Sequence, residues 1–247
     1  MKNRTTANSG YNKLRHYVQN CTINFHNFVL GHRKNSAPKL PQLLVAAGRC
    51  EQFIQTEIQN MTQNMKQNLN TAISGIQNEK NINGIFSNVL DIMINADWKG
   101  ACHESCAALH ILLNEFGISN VWLVGEAKVN EGFFDHSWIE IDSNVYDIAI
   151  FKPLKEILKN GPVINGIDII TNQPTTTQYG VKSGLPDHAM TEVFKSFTNL
   201  GEYLLGSPMH PTLGTWKMID YVAQKLGKKL DISTLIKKYN SQYYTVV

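Results

Sequence analysis

Between residues 100 and 150 the spacing of apolar side chains changes period, and that change limits the possible folds more than any other feature of the chain. From Gly100 to Phe116, the residues Cys102, Cys106, Leu109, Leu113 and Phe116 recur at intervals of 4, 3, 4 and 3. That spacing puts them on one stripe of a helix. Gly117 follows, at the position where a helix commonly stops on a left-handed residue. Beyond it, SNVWLVGEAKV, DHSWIEID and NVYDIAI alternate with a period of two. They predict three β-strands after the helix.

The flanks read as helical. From Leu43 to about Asn78 there are few helix breakers, and Phe53, Ile54, Ile58, Met61, Met65 and Leu69 recur every three or four positions. One or two amphipathic helices are expected there, with the methionines in the core. Ile82–Ala96 predicts another helix, and PLKEILKN a short one after Pro153. The Gly-, Pro- and Thr-rich stretch 161–186 reads as a long loop with IDII as a further strand. Thr191–Leu205, Leu213–Leu226 and Ile232–Tyr239 look helical. Residues 1–37 are polar and mixed, with one apolar patch, INFHNFVL, that suits a short helix or a docked arm. The expected architecture is α+β. A helical segment, 1–95, packs on a core, 96–155, and 156–247 completes the same domain.

Composition removes several classes of function. With 247 residues, 43% hydrophobic and 17% charged, the chain suits a globular protein and not a wholly disordered one. Its net charge of +3 is spread without a Lys/Arg block, so nucleic acid is not an expected partner. No apolar leader opens the sequence, and no run approaches the roughly 18 apolar residues of a membrane span. The expectation is a soluble, cytoplasmic protein; an effector exported by a specialised secretion system would look the same. Four cysteines make no disulfide scaffold. Cys21 and Cys50 read as single thiols, and Cys106, one turn inside the apolar stripe, as a core residue.

Cys102 stands apart. It falls in the first turn of its helix, where unpaired N–H groups and the positive end of the dipole favour a thiolate. Gly100-Ala101 lets other backbone come close, and Asp97 is a candidate cap. A zinc site built from Cys102, His103, Cys106 and His110 is disfavoured. On a helix His103 points roughly 100° away from Cys102, and no second cysteine pair exists to close a tetrahedron. A reactive thiol needs a base, and the base needs an orienter. On the strand His136–Ile141, His136, Trp138 and Glu140 share one face, and Ser137, Ile139 and Ile141 the other. Asp147 lies on the next strand. A turn at Ser143-Asn144 would put Asp147 opposite Glu140 and about 13 Å from His136. A wider loop, from Glu140 to Ser143, would let the two meet. Both registers keep His136 and Asp147 on one face. Glu140 and Asp142 read as solvated acids, and either is an alternative orienter.

Taken in order, GACHESCAALHILLNEFGI, VWLVGEA, DHSWIEID and VYDIA resemble the transglutaminase-like branch of the papain-like cysteine enzymes. The likeness covers roughly residues 98–150. It implies a papain-like core, with the cysteine helix packed on an antiparallel sheet, and a triad of Cys102, His136 and Asp147. It implies amide chemistry through a thioester on a protein or peptide substrate, as peptidase, amidase, deamidase or transglutaminase. No cofactor and no metal are called for. An oxyanion hole is needed as well: the backbone N–H of Cys102 is one donor, with Asn95 or the Trp98 indole as candidates for the second. Trp138 reads as a wall or core residue near His136. His110 lies off the stripe and reads as a surface residue, His188 and His210 as structural ones, and 161–186 as a lid or a plain loop. Cys106 departs from the small residue the family commonly has there, and the helical flanks match no particular subfamily. The competing expectation is a catalytically silent domain of the same fold that binds other proteins.

Overall fold

A computed structural model describes residues 40–155, 158, 160–184, 199–206, 214–242 and 244–247. The chain divides into two compact units, Met1–Met65 and Lys66–Val247. In the first, the described residues are helical, the start of α1 (Leu40–Ala72). Cys21, His188 and His210 and the patch INFHNFVL lie outside the described residues, as do residues 156, 157 and 159 of PLKEILKN and residues 191–198 of the helix expected at 191–205.

The second unit is α+β. After α1 come α2 (Glu79–Asn95) and α3 (Cys102–Glu115), and then the strands β1 (Val121–Val129), β2 (Gly132–Ile141) and β3 (Asn144–Tyr146). Four short strands follow, β4 (Val163–Ile164), β5 (Ile167–Asp168), β6 (Gln173–Pro174) and β7 (Gln178–Tyr179). The helices α4 (Leu200–Gly206), α5 (Gly214–Lys225) and α6 (Ile232–Tyr239) and the strand β8 (Thr245–Val246) close the chain. The main sheet has the order β3-β2-β1-β7, with β8 also on β1, and β4-β5-β6 make a smaller sheet. All of these pairings are antiparallel except β1 with β8. Among the described residues no helix is long and apolar enough to cross a membrane.

The central helix is α3. It packs on β1 and β2 and is also met by α2 and α5. Ser105 and every residue from Cys106 to Leu113 are buried. At roughly 1.5–3 kcal/mol for each large apolar side chain buried, Leu109, Ile111, Leu112 and Leu113 anchor the unit. This enclosure overturns the expected surface position of His110. The helix has no solvent face, and His110 is held between Asn120 Oδ1 (2.7 Å) and Gln242 Oε1 (3.0 Å). The predicted stop holds: Gly117 has φ 72°. The Ile118 N–H reaches the Leu113 carbonyl and the Gly117 N–H that of Asn114, the paired bonds of a Schellman cap.

Three local expectations change. The strand expected over 144–150 ends at Tyr146, and Ala149–Phe151 forms a 3-10 turn. In the stretch 161–186 the strand expected at IDII is present as β5, and β4, β6 and β7 form where a loop was expected. The β2–β3 hairpin follows neither register considered. Its pairs are Ile141 with Asn144, Glu140 with Val145 and Ile139 with Tyr146. The turn is therefore the two residues Asp142-Ser143, at φ 49° and 64°. Left-handed backbone at both positions is the type I′ arrangement that matches strand twist. Serine is strained at φ 64°, so Ser143→Gly should raise stability by about 0.5–1 kcal/mol in chemical denaturation. A loss of stability would show that the serine side chain supports the turn.

Candidate active site

The two-residue turn sets the site. Sliding it one position earlier than Ser143-Asn144 moves Asp147 two positions toward His136. Asp147 also leaves the ladder, because its backbone bridges to Val163 instead of continuing along β2. Its carboxylate is fully buried and holds four partners. Oδ1 accepts the N–H groups of Ala149 (3.0 Å) and Ile150 (3.2 Å). Those two bonds turn the chain into the 3-10 segment and explain why the strand stops. Oδ2 lies 2.6 Å from His136 Nε2 and accepts the Tyr179 hydroxyl at 2.9 Å. Glu140 does not take this place, since its Oε1 accepts the Trp138 indole N–H (3.2 Å). Asp142 is spent in the turn.

With Nε2 on Asp147, Nδ1 is the His136 nitrogen left toward Cys102, and the two side chains line one cavity, close enough for each to shift the other's titration. Burial opposes charge on His136, but the adjoining Asp147 carboxylate outweighs it and raises the imidazole to about 10. Burial likewise pushes the Cys102 thiol up. The His103 ring, and hydrogen bonds from His103 and His136, more than reverse this and bring it down to about 5. A thiolate beside an imidazolium results. Cys106, buried deeper on the same helix, is driven the other way by burial and by the Asp147 and Cys102 charges.

No side chain caps the first turn of α3, so the positive end of the helix is left to the sulfur. Asp97 does not cap it. Its Oδ1 takes the Lys152 ammonium at 2.5 Å, and the Gly100 N–H bonds the Lys152 carbonyl at 2.9 Å. The cysteine loop is thereby tied to the segment that Asp147 shapes. Gly100 suits this position because its φ is 65°, in the left-handed region that side chains disfavour.

The other candidates fall outside the pocket. A cavity of about 330 Å³ opens beside Cys102 and His136, walled by Phe133, Phe134, Ile150 and Pro153 among others. Asn95 is exposed at the end of α2, and Trp98 is half-buried; neither lines this cavity. Trp138 is a core residue, as one of its two readings expected; it packs on Tyr179 with ring centroids 5.2 Å apart and does not line the cavity. Sequence reading missed Tyr179 and set aside His103, which lines the cavity. Tyr179 arrives from the supposed loop, because β7 pairs with β1, and no pattern in the sequence marks it. Burial and Asp147 raise its phenol well above the usual value, so it stays a donor. Among the described residues no group of three or more His, Cys, Asp or Glu side chains is placed to hold a metal ion.

A family model described as the transglutaminase-like superfamily matches residues 80–153. The match runs from the first turn of α2 to the segment after the 3-10 turn. It therefore takes in Cys102, His136 and Asp147. The likeness seen in the sequence around 98–150 stands, and it extends upstream into α2. No curated protein and no solved structure matches the chain.

Proposed function

We propose that this protein is a cysteine-dependent amide-processing enzyme with a papain-like arrangement, acting on a protein or peptide through a thioester. The observation that carries the reading is that Cys102 and His136 line one pocket while His136 is held by the buried Asp147 carboxylate at 2.6 Å. In this reading the Cys102 thiolate attacks the amide carbonyl carbon. The tetrahedral intermediate collapses as His136 gives its proton to the departing amine, leaving a thioester and a neutral imidazole. That imidazole then takes a proton from water, giving hydrolysis or deamidation, or from an amine, giving transamidation. Attack on the thioester expels the Cys102 thiolate and restores the ion pair. Asp147 holds the His136 tautomer and balances its charge. Tyr179 donates to the same Asp147 oxygen that meets His136 and helps to fix it.

Selective alkylation tests this. Iodoacetamide should label Cys102 well ahead of Cys106 near neutral pH, as read by peptide mass. Equal, slow labelling would instead favour a silent domain that binds other proteins. The pH dependence has a definite sign. The thiolate is lost as pH falls through about 5, and the imidazolium is lost as pH rises through about 10. Acylation of Cys102 by an activated amide, followed by leaving-group release, should hold a plateau between those limits and fall on both sides. A single rise centred near the ordinary thiol value would sink the ion pair.

A further inference from the structure

The cavity beside Cys102 has an apolar wall. On β2, Phe134 stands two positions from His136, so both side chains leave the same face of the sheet. Their rings meet edge to face, with centroids 5.3 Å apart. Phe134 also packs on the buried cluster of Val129, Ile150 and Val163. Ile150 is held by its N–H bond to Asp147 Oδ1 (3.2 Å). The carboxylate that meets His136 thus also sets a wall of the cavity, which Ala149 and Pro153 extend. Beyond Cys102 and His136, the polar side chains on its lining are His103, Asp135, Lys152 and Lys155. Nδ1 of His103 lies 2.5 Å from the Ser137 hydroxyl oxygen, the Lys152 ammonium is drawn to Asp97 (2.5 Å), Asp135 is half-buried and Lys155 is exposed.

We infer that Phe134 and Ile150 form a subsite for a large apolar side chain on the acyl side of the amide that is cleaved. The inference rests on the reading of Cys102 as the nucleophile and names the substrate class for it. The amine departs early, whereas the acyl group stays bonded to the sulfur through the thioester stage. The acyl group is therefore the part that a cavity beside the sulfur holds longest. A volume of about 330 Å³ lies near the lower end of the roughly 300–1,000 Å³ range of ligand pockets. It has room for one bulky side chain and not for a folded segment. A charged side chain set against Phe134 and Ile150 would give up water for carbon, and an apolar one gains from the same exchange. The subsite selects by apolar size.

The test measures acylation of Cys102 in the full chain by p-nitrophenyl acetate, butyrate and hexanoate. Nitrophenolate release gives the rate and peptide mass gives the site. Each rate is divided by that of N-acetylcysteine with the same ester, which removes the ester's own reactivity. The normalised rate should rise about three- to fourfold per added methylene until the cavity is full. Phe134→Ser and Ile150→Ser, with circular dichroism as the check on folding, should each cut the hexanoate-to-acetate ratio at least about fivefold. Acylation of Cys102 with no rise along the series overturns the inference and leaves the proposed function standing. A rise that survives both substitutions also overturns it. No acylation of Cys102 by any ester removes the proposed function, and the inference with it. Should the serine variants not fold, Phe134→Trp decides by narrowing the cavity: an unchanged ratio overturns the inference.

Discussion

Cys102→Ala is expected to abolish acyl-enzyme formation while leaving the fold intact. In intact-mass measurements with p-nitrophenyl acetate, the wild type should gain one acetyl group, and the variant none at that site. Loss of a nucleophile backed by a base costs at least about 10⁴-fold in such systems. The stability change should be small, within about 1 kcal/mol. The side chain is only half-buried, and alanine suits a first helical turn. Removing the sulfur also relieves the need to hold a charge in a mostly enclosed place. An acylation rate close to that of the wild type would end the thioester mechanism.

Asp147 should behave differently, because it is structural as well as chemical. Asp147→Ala strands the Ala149 and Ile150 N–H groups, the Tyr179 hydroxyl and the His136 ring inside the protein. Each orphaned buried group costs about 1–3 kcal/mol, so a net loss on the order of 3–5 kcal/mol is expected once water relieves some of them. Asp147→Asn is the cleaner probe of chemistry. Its amide oxygen can still accept from Ala149 and Ile150. Its NH₂, placed where Oδ2 was, would meet the His136 N–H and the Tyr179 hydroxyl donor to donor. The imidazole is then forced into the other tautomer, and acylation should fall by roughly 10⁴-fold at near-normal stability. Denaturant titration and acylation rate, measured side by side, check the pair. An Asn variant that loses no activity would remove Asp147 from the mechanism.

The parts of this site that the sequence made legible are those that rest on periodicity. The stripe from Cys102 to Phe116 and the stop at Gly117 reported α3, and alternation along DHSWIEID put His136 and Asp147 on one face. What stayed hidden depends on contacts between distant segments. Whether the turn is Asp142-Ser143 or Ser143-Asn144 is a choice between adjacent polar residues with similar turn propensities, yet it decides the distance from His136 to Asp147. His110 looked peripheral because its stripe was judged against one packing partner, and α3 has several. Tyr179 was illegible because β7 is two residues long, too short to show alternation. His103 was set aside by its angle on the helix, and the placement of β2 beside the first turn brings its ring to Ser137.

The double duty of Asp147 also bears on how such a protein could drift over generations. On the proposed reading Cys102 serves the chemistry alone, so a lineage that stopped needing it could exchange it in a single step. The carboxylate could not be dropped as cheaply, since the bend it pins carries the Lys152 carbonyl that anchors Gly100. A descendant retired to a purely adhesive role would therefore be expected to keep its aspartate as a fossil long after its sulfur had gone.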